Sequence, residues 1–184
     1  MPFEKQLYIV LSQTGTIPSK MLRLATKEEY NHVSVSLTPD LEQMYSFARI
    51  KTYSPFPGGL IKESLDSGIF KKFENTKAII ITVNVDEDKY KYKEVCECID
   101  DMYSQKDMYK YNYLGVMMAP FKKNMNREYR FYCSEFVKYI LQKGCVVGAE
   151  ELPDIVQPMD FLDLPHKEIY SGILREYDRG LVKV

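Results

Sequence analysis

The residues that can do chemistry in this 184-residue chain are few: four cysteines, Cys96, Cys98, Cys133 and Cys145, and two histidines, His32 and His166. A cysteine nucleophile usually works with a histidine base, so the scarcity of histidine narrows the search. Cys133 stands in "YRFYCSEFVKYIL", where an apolar helix begins. Its place before Phe136, Val137, Ile140 and Leu141 points it inward, at the end where unpaired backbone N–H groups gather. Such groups stabilise a thiolate and can bind an oxyanion. The same position also suits an inert core cysteine, and the local pattern alone does not choose between them. His32 opens the alternating stretch "HVSVSL", on the face opposite Val33, Val35 and Leu37. By itself it reads as a satisfied, half-exposed strand histidine.

The remaining candidates are weaker. His166 lies between Pro165 and Lys167 and reads as a solvated turn residue. Cys96 falls on the apolar stripe of a helix and Cys98 on its flank. Two helical residues two positions apart point in different directions, and no second Cys/His pair accompanies them, so no zinc site is expected. Cys145 follows a helix-stopping glycine and reads as structural. The expectation is a chain with no cofactor, no metal and free thiols.

Several elements must position these side chains. "KQLYIVLSQ" and "KAIIITVNV" read as buried strands, "NHVSVSL" as a third and "LEQMYSFA" as a fourth that returns after the turn "TPD"; "LIKESL" is a short strand candidate. "SKMLRLATK" reads as a short helix. "DEDKYKYKEVCECIDDMYSQ" is the clearest helix, with Asp86 as its cap. Further helices are expected over "YNYLGVMMA" and from Cys133 to Gln142, where Gly144 provides the stop. The tail supplies one helical turn in "LPDIVQPMDFLDLP" and a strand in "KEIYSGILREY". Strands and helices are segregated rather than alternating, which predicts an α+β fold with a mainly antiparallel sheet in a single domain over 1–184.

Composition excludes some partners. Hydrophobic residues make up 45% and charged residues 28%, with a net charge of −1, so no basic field exists to collect nucleic acid. No apolar stretch reaches the roughly 18 residues of a membrane span. The N-terminus lacks a basic leader and a small-residue cleavage site, which makes the cytoplasm the expected location.

The strand "NHVSVSL", the strand "LEQMYSFAR" and, much later, the helix "FYCSEFVKYIL" together resemble the circularly permuted NlpC-type papain-like family of cysteine amidases and peptidases. In permuted members the histidine strand comes first and the cysteine helix last, the order of His32 and Cys133 here. The resemblance spans nearly the whole chain, through "VQPMDFLDLP". It implies a small antiparallel sheet packed against helices, Cys133 as nucleophile and His32 as general base. It also implies a third polar residue on the next strand, which in many relatives is a glutamate. In this chain Ser46 of "MYSFA" falls in that place. If Thr38, Pro39 and Asp40 form a three-residue hairpin loop, Leu37 pairs with Leu41 and His32 lies opposite Ser46. Glu42 shares the His32 face but lies roughly 13 Å along the strand; Glu63 and Arg49 depend on where the fold puts them.

Three functions follow. The first is a cysteine hydrolase acting on a peptide-like or acyl-amide substrate. The second is a lipid or acyl transferase using the same Cys133–His32 pair. The third is a non-catalytic binding module, favoured by a serine where relatives carry an acid. "SPFPGG" and "DMYKYNYLG" read as a surface loop and a packed amphipathic segment, or as the lining of a groove for an extended peptide or acyl chain.

Overall fold

The structure is a computed structural model that describes residues 5–13, 29–51, 54, 56–85, 89–118 and 128–180. Its centre is a six-stranded antiparallel sheet in the order β4-β3-β2-β1-β5-β8. The strands are β1 (Gln6–Gln13), β2 (His32–Ser36), β3 (Met44–Arg49), β4 (Gly58–Glu63), β5 (Lys77–Asn84) and β8 (Lys167–Ile173). The helices are α1 (Gly68–Lys72), α2 (Lys89–Ser104), α3 (Tyr113–Met118) and α4 (Cys133–Lys143). Two short parallel strands, β6 (Lys110–Tyr111) and β7 (Arg130–Phe131), form a separate pair. The α+β class with an antiparallel sheet is as the sequence predicts. The "SKMLRLATK" helix and the Asp86 cap lie outside the described residues.

Both faces of the sheet are covered, which explains why β1 and β5 read as nearly continuous apolar runs. Leu7, Ile9, Leu11, Val33, Val35, Phe47, Ile81 and Val83 pack in one core with the inner faces of α2 and α4. Val10, Met44, Ala78 and Ile80 join Phe70, Leu174 and Tyr177 in a second. In the first core the fully buried Phe136 of α4 lies 5.3 Å, ring centre to ring centre, from Phe47 of β3. This contact ties the cysteine helix to the strand beside the histidine strand.

Two local readings are corrected. The expected strand "LEQMYSFA" begins only at Met44. Between β2 and β3, Thr38 Oγ1 donates to Asp40 Oδ1 at 2.6 Å, and the same Asp40 oxygen accepts the Glu42 N–H at 2.9 Å. Leu41 turns into the left-handed region at φ 61°, and the Leu37 N–H reaches the Gln43 carbonyl at 3.0 Å. These bonds make a longer connection than the three-residue loop. Val35 therefore pairs with Tyr45 and Ser36 with Met44. At the other correction, α4 does end at Gly144, but Gly144 keeps a right-handed φ of −79° and it is Cys145 that takes a positive φ of 49°. Cys145 is exposed rather than structural.

Replacing Phe136 by Ala is expected to lower the unfolding free energy by about 3–5 kcal/mol, the usual range for a large aromatic truncated in a core. Val147→Ala, at a site 72% exposed, should change it little. Urea titration of both variants measures the difference.

Candidate active site

His32 sits at the first position of β2 and is buried to 8% exposure. Alternation along β2 puts His32, Ser34 and Ser36 on one face. The registers Ser36↔Met44↔Glu63 extend that face across β3 and β4, so Ser46 and Glu63 share it. His32 Nε2 bonds Glu63 Oε1 at 3.0 Å. Ser34 Oγ donates to Glu63 Oε2 and lies 3.3 Å from His32 Nε2, so one hydroxyl braces both partners. Glu63, only 5% exposed, is therefore the carboxylate that orients the imidazole.

Ser46 does not take that part. The observed register runs two residues beyond the three-residue-loop register, which keeps Ser46 on the His32 face but sets it level with Ser34 instead. Its Oγ is fully buried and makes no hydrogen bond, although it lies beside the Glu63 carboxylate and helps to keep it ionised. Ser46 stands on the strand between His32 and Glu63. Its small side chain leaves the space over β3 through which they meet. Glu42 is exposed in the turn before β3 and belongs to no part of the site.

Cys133 is the first residue of α4 and is 7% exposed. Its thiol stands near enough to the His32 side chain and the Val33 N–H for both to act on its ionisation. With Nε2 committed to Glu63, Nδ1 is the ring nitrogen left for the thiol. The fold sets Cys133 and His32 near one another although they are far apart in sequence.

The electrostatics follow from that row. Burial works against a charged His32, but the Glu63 charge and the hydrogen bonds to Cys133 and Glu63 outweigh it and raise its pKa to about 10. Burial likewise opposes ionisation of Cys133. The bond to His32, the imidazolium charge and the Val33 N–H together hold its pKa below the ordinary thiol value. Glu63 is held below the carboxylate range against its burial, by the His32 charge first. Each of these shifts favours the charged form of its group: thiolate at Cys133, imidazolium at His32 and carboxylate at Glu63.

The start of α4 is itself clamped. Glu135, in its first turn, accepts the Tyr132 N–H at 2.9 Å, supplying the reciprocal half of a capping box. The buried Asn112 donates to both Glu135 oxygens at 3.3 and 3.5 Å and accepts the Gly115 N–H at 3.0 Å. A Cβ on Gly115 would lie 2.5 Å from Asn112 Nδ2, so glycine is required there. The β6–β7 pair brings Tyr111 next to Phe131, and the Tyr111 phenol feels the Cys133 charge, which adds to burial in raising its pKa. Sequence reasoning singled out none of Ser34, Tyr111, Asn112 or Glu135. Two signals were present: Ser34 two positions after His32 on a strand, and the acid in "CSE".

The other candidates lie apart. Exposed His166 bonds the Leu164 carbonyl through Nδ1 at 2.7 Å. Cys96 and Cys98 are half-buried on α2, free, and burial raises both thiols. Among the described residues no group of three or more His, Cys, Asp or Glu side chains is placed to hold a metal ion, and no helix is long and apolar enough to cross a membrane. No protein-family profile matches the chain, and no curated protein matches it in sequence.

Glu63→Gln should destabilise the fold by about 3 kcal/mol, the low end for a broken buried ion pair, because the imidazole can shed its proton. It should also slow Cys133 alkylation at neutral pH. Ser46→Ala removes a buried hydroxyl that makes no hydrogen bond of ordinary geometry, so it should change stability little and slow alkylation far less than Glu63→Gln. Denaturant melts and labelling rates on the two variants separate the roles.

Proposed function

We propose that this chain is a cysteine hydrolase of the permuted papain-like type, cleaving an amide or peptide bond. The observation that carries the reading is His32 held between the Cys133 thiol and the Glu63 carboxylate, all three buried. A serine in the third place had favoured a non-catalytic module; Glu63 removes that support.

The Cys133 thiolate attacks the substrate carbonyl carbon, and the carbonyl π pair moves to oxygen. Backbone N–H groups at the α4 N-terminus receive that oxyanion. The imidazolium gives its proton to the departing amine nitrogen as the C–N bond breaks, leaving an acyl-thioenzyme and neutral His32. His32 then takes a proton from water, whose oxygen attacks the thioester. The thiolate leaves, the acid is released and the imidazolium is restored. An amine in place of that water gives acyl transfer by the same steps, and product analysis distinguishes the two outcomes.

Glu63 confers what a serine would not. Its charge stabilises the imidazolium and fixes the ring so that Nδ1 faces sulfur. Its own depressed pKa keeps it ionised while His32 cycles between its two states.

The test is thiol reactivity. Cys133 should react with iodoacetamide faster than the exposed Cys145 at pH 6–7, with a rate that titrates below the free-thiol pKa of about 8.5. A buried Cys133 slower than Cys145, with a rate still climbing above that pH, rules out a nucleophile.

Stability against pH gives a second check. In the native state His32 keeps its proton up to about pH 10, whereas an unfolded histidine loses it near 6.5. Taken alone, this contribution is complete below pH 6.5 and is lost between there and about 10. Cys133 has the opposite sign: its depressed native pKa makes stability rise with pH as it approaches the unfolded thiol value. The two oppose each other, so the wild-type unfolding free energy should fall less steeply from pH 6.5 to 8.5 than His32 alone would make it. Cys133→Ser removes one side of the balance and should lose stability steadily over that interval, as pH-dependent urea melts can measure.

A further inference from the structure

Beyond the bond that is cleaved, the site offers a place for a charge on the substrate. Arg49 is the last residue of β3 and pairs with Gly58 of β4. Paired residues in an antiparallel sheet project to the same face. The direction of that face is shown by Gly58: a Cβ there would lie 2.6 Å from Tyr113 Oη and 2.8 Å from Tyr111 Cβ. Arg49 therefore projects to the side where Tyr111 and Tyr113 stand. The Tyr113 phenol feels the guanidinium charge, which works against the effect of its burial.

The three aromatic rings form a wall that leads from Arg49 to the thiol. Phe56, 61% exposed, lies 4.5 Å from Tyr113, and Tyr113 lies 4.7 Å from Tyr111. Tyr111 in turn pairs with Phe131, two residues before Cys133, and the Asn112 N–H bonds the Phe131 carbonyl at 2.9 Å. Phe56 thus meets Tyr113 and, through it, Tyr111, with a large aromatic left in solvent.

Among the described residues Arg49 enters no ion pair, whereas Arg175 and Arg179 are paired with Glu74 and Asp66. Glu135 bonds the Tyr132 N–H and Asn112 instead. A half-buried guanidinium beside aromatic rings is suited to a planar carboxylate, which it can grip with two parallel N–H donors.

We infer that Arg49, with the wall of Tyr111, Tyr113 and Phe56, forms a subsite for a carboxylate on the substrate, so that the amide cleaved belongs to an acidic compound. This inference rests on Cys133 being the nucleophile. Arg49 is then a specificity residue and takes no part in bond breaking.

The two alkylating agents iodoacetate and iodoacetamide test it on the full chain, because they differ in carrying a carboxylate or a neutral amide. Rates at Cys133 are measured for wild type, Arg49→Gln and Arg49→Lys. The expected result is that Arg49→Gln lowers the iodoacetate-to-iodoacetamide rate ratio roughly threefold, the effect of one partly screened unit charge. The iodoacetamide rate itself stays unchanged, which also shows the variant to be folded. Arg49→Lys should keep most of the ratio, and added salt should bring wild type towards Arg49→Gln. A ratio unchanged in Arg49→Gln, with Cys133 still fast towards iodoacetamide, overturns the subsite and leaves the nucleophile standing. Slow reaction of wild-type Cys133 with both reagents overturns both.

Discussion

The buried contact between His32 and Glu63 is the constraint around which the rest of the site is arranged. An imidazolium or a carboxylate alone in this interior would neutralise rather than stay charged. Each keeps its charge because the other is 3.0 Å away, with Ser34 as a shared brace. Such a pair adds little net stability, since desolvation consumes most of the attraction. What it provides is a fixed ring and a favoured positive charge beside the thiol.

Holding that pair needs three adjacent strands in one register. His32 comes from β2, Glu63 from β4, and β3 must pass between them without filling the gap. Ser46 meets that demand by size. The thiol must then be brought to the free nitrogen, and this is the work of packing: α4 is fixed to the sheet through Phe136 on Phe47, while Asn112 and Glu135 set its first turn. Cys133 is positioned by elements whose own stability owes nothing to its chemistry, which is how a site on rigid elements keeps its geometry.

Much of this could be read in the chain because its signals are local. The alternation of "HVSVSL", the apolar run "KAIIITVNV" and the helical spacing after Cys133 each declare an element without reference to anything distant. The partner of His32 could not be read that way. It depends on the number of residues in the β2–β3 connection, and there Asp40 and the left-handed Leu41 favour a longer path than the sequence "TPD" suggests. A shift of two residues preserves which face each side chain occupies, so Ser46 remained a plausible neighbour while ceasing to be a partner. Tyr111 and Asn112 were hidden for another reason: they lie on and beside a two-residue strand whose parallel partner, β7, is distant in sequence.

Charge accounting across the site links the triad to its surroundings. With Cys133 and Glu63 ionised and His32 protonated, the buried row carries one net negative charge. The Val33 N–H and the N-terminal end of α4 stabilise that excess locally. Neither prevents it from repelling an approaching anion. A substrate bearing a carboxylate would meet this repulsion when it enters and lose it as attack converts the thiolate into a neutral thioester. A cation set beyond Tyr111 and Tyr113, outside the row, offsets the repulsion at entry without competing with His32 for the thiolate. Arg49, on the side of the sheet where Tyr111 and Tyr113 stand, would meet that need under the proposed subsite. A cation directly against the sulfur would lower the thiol pKa further and, with it, the nucleophilicity on which the attack depends.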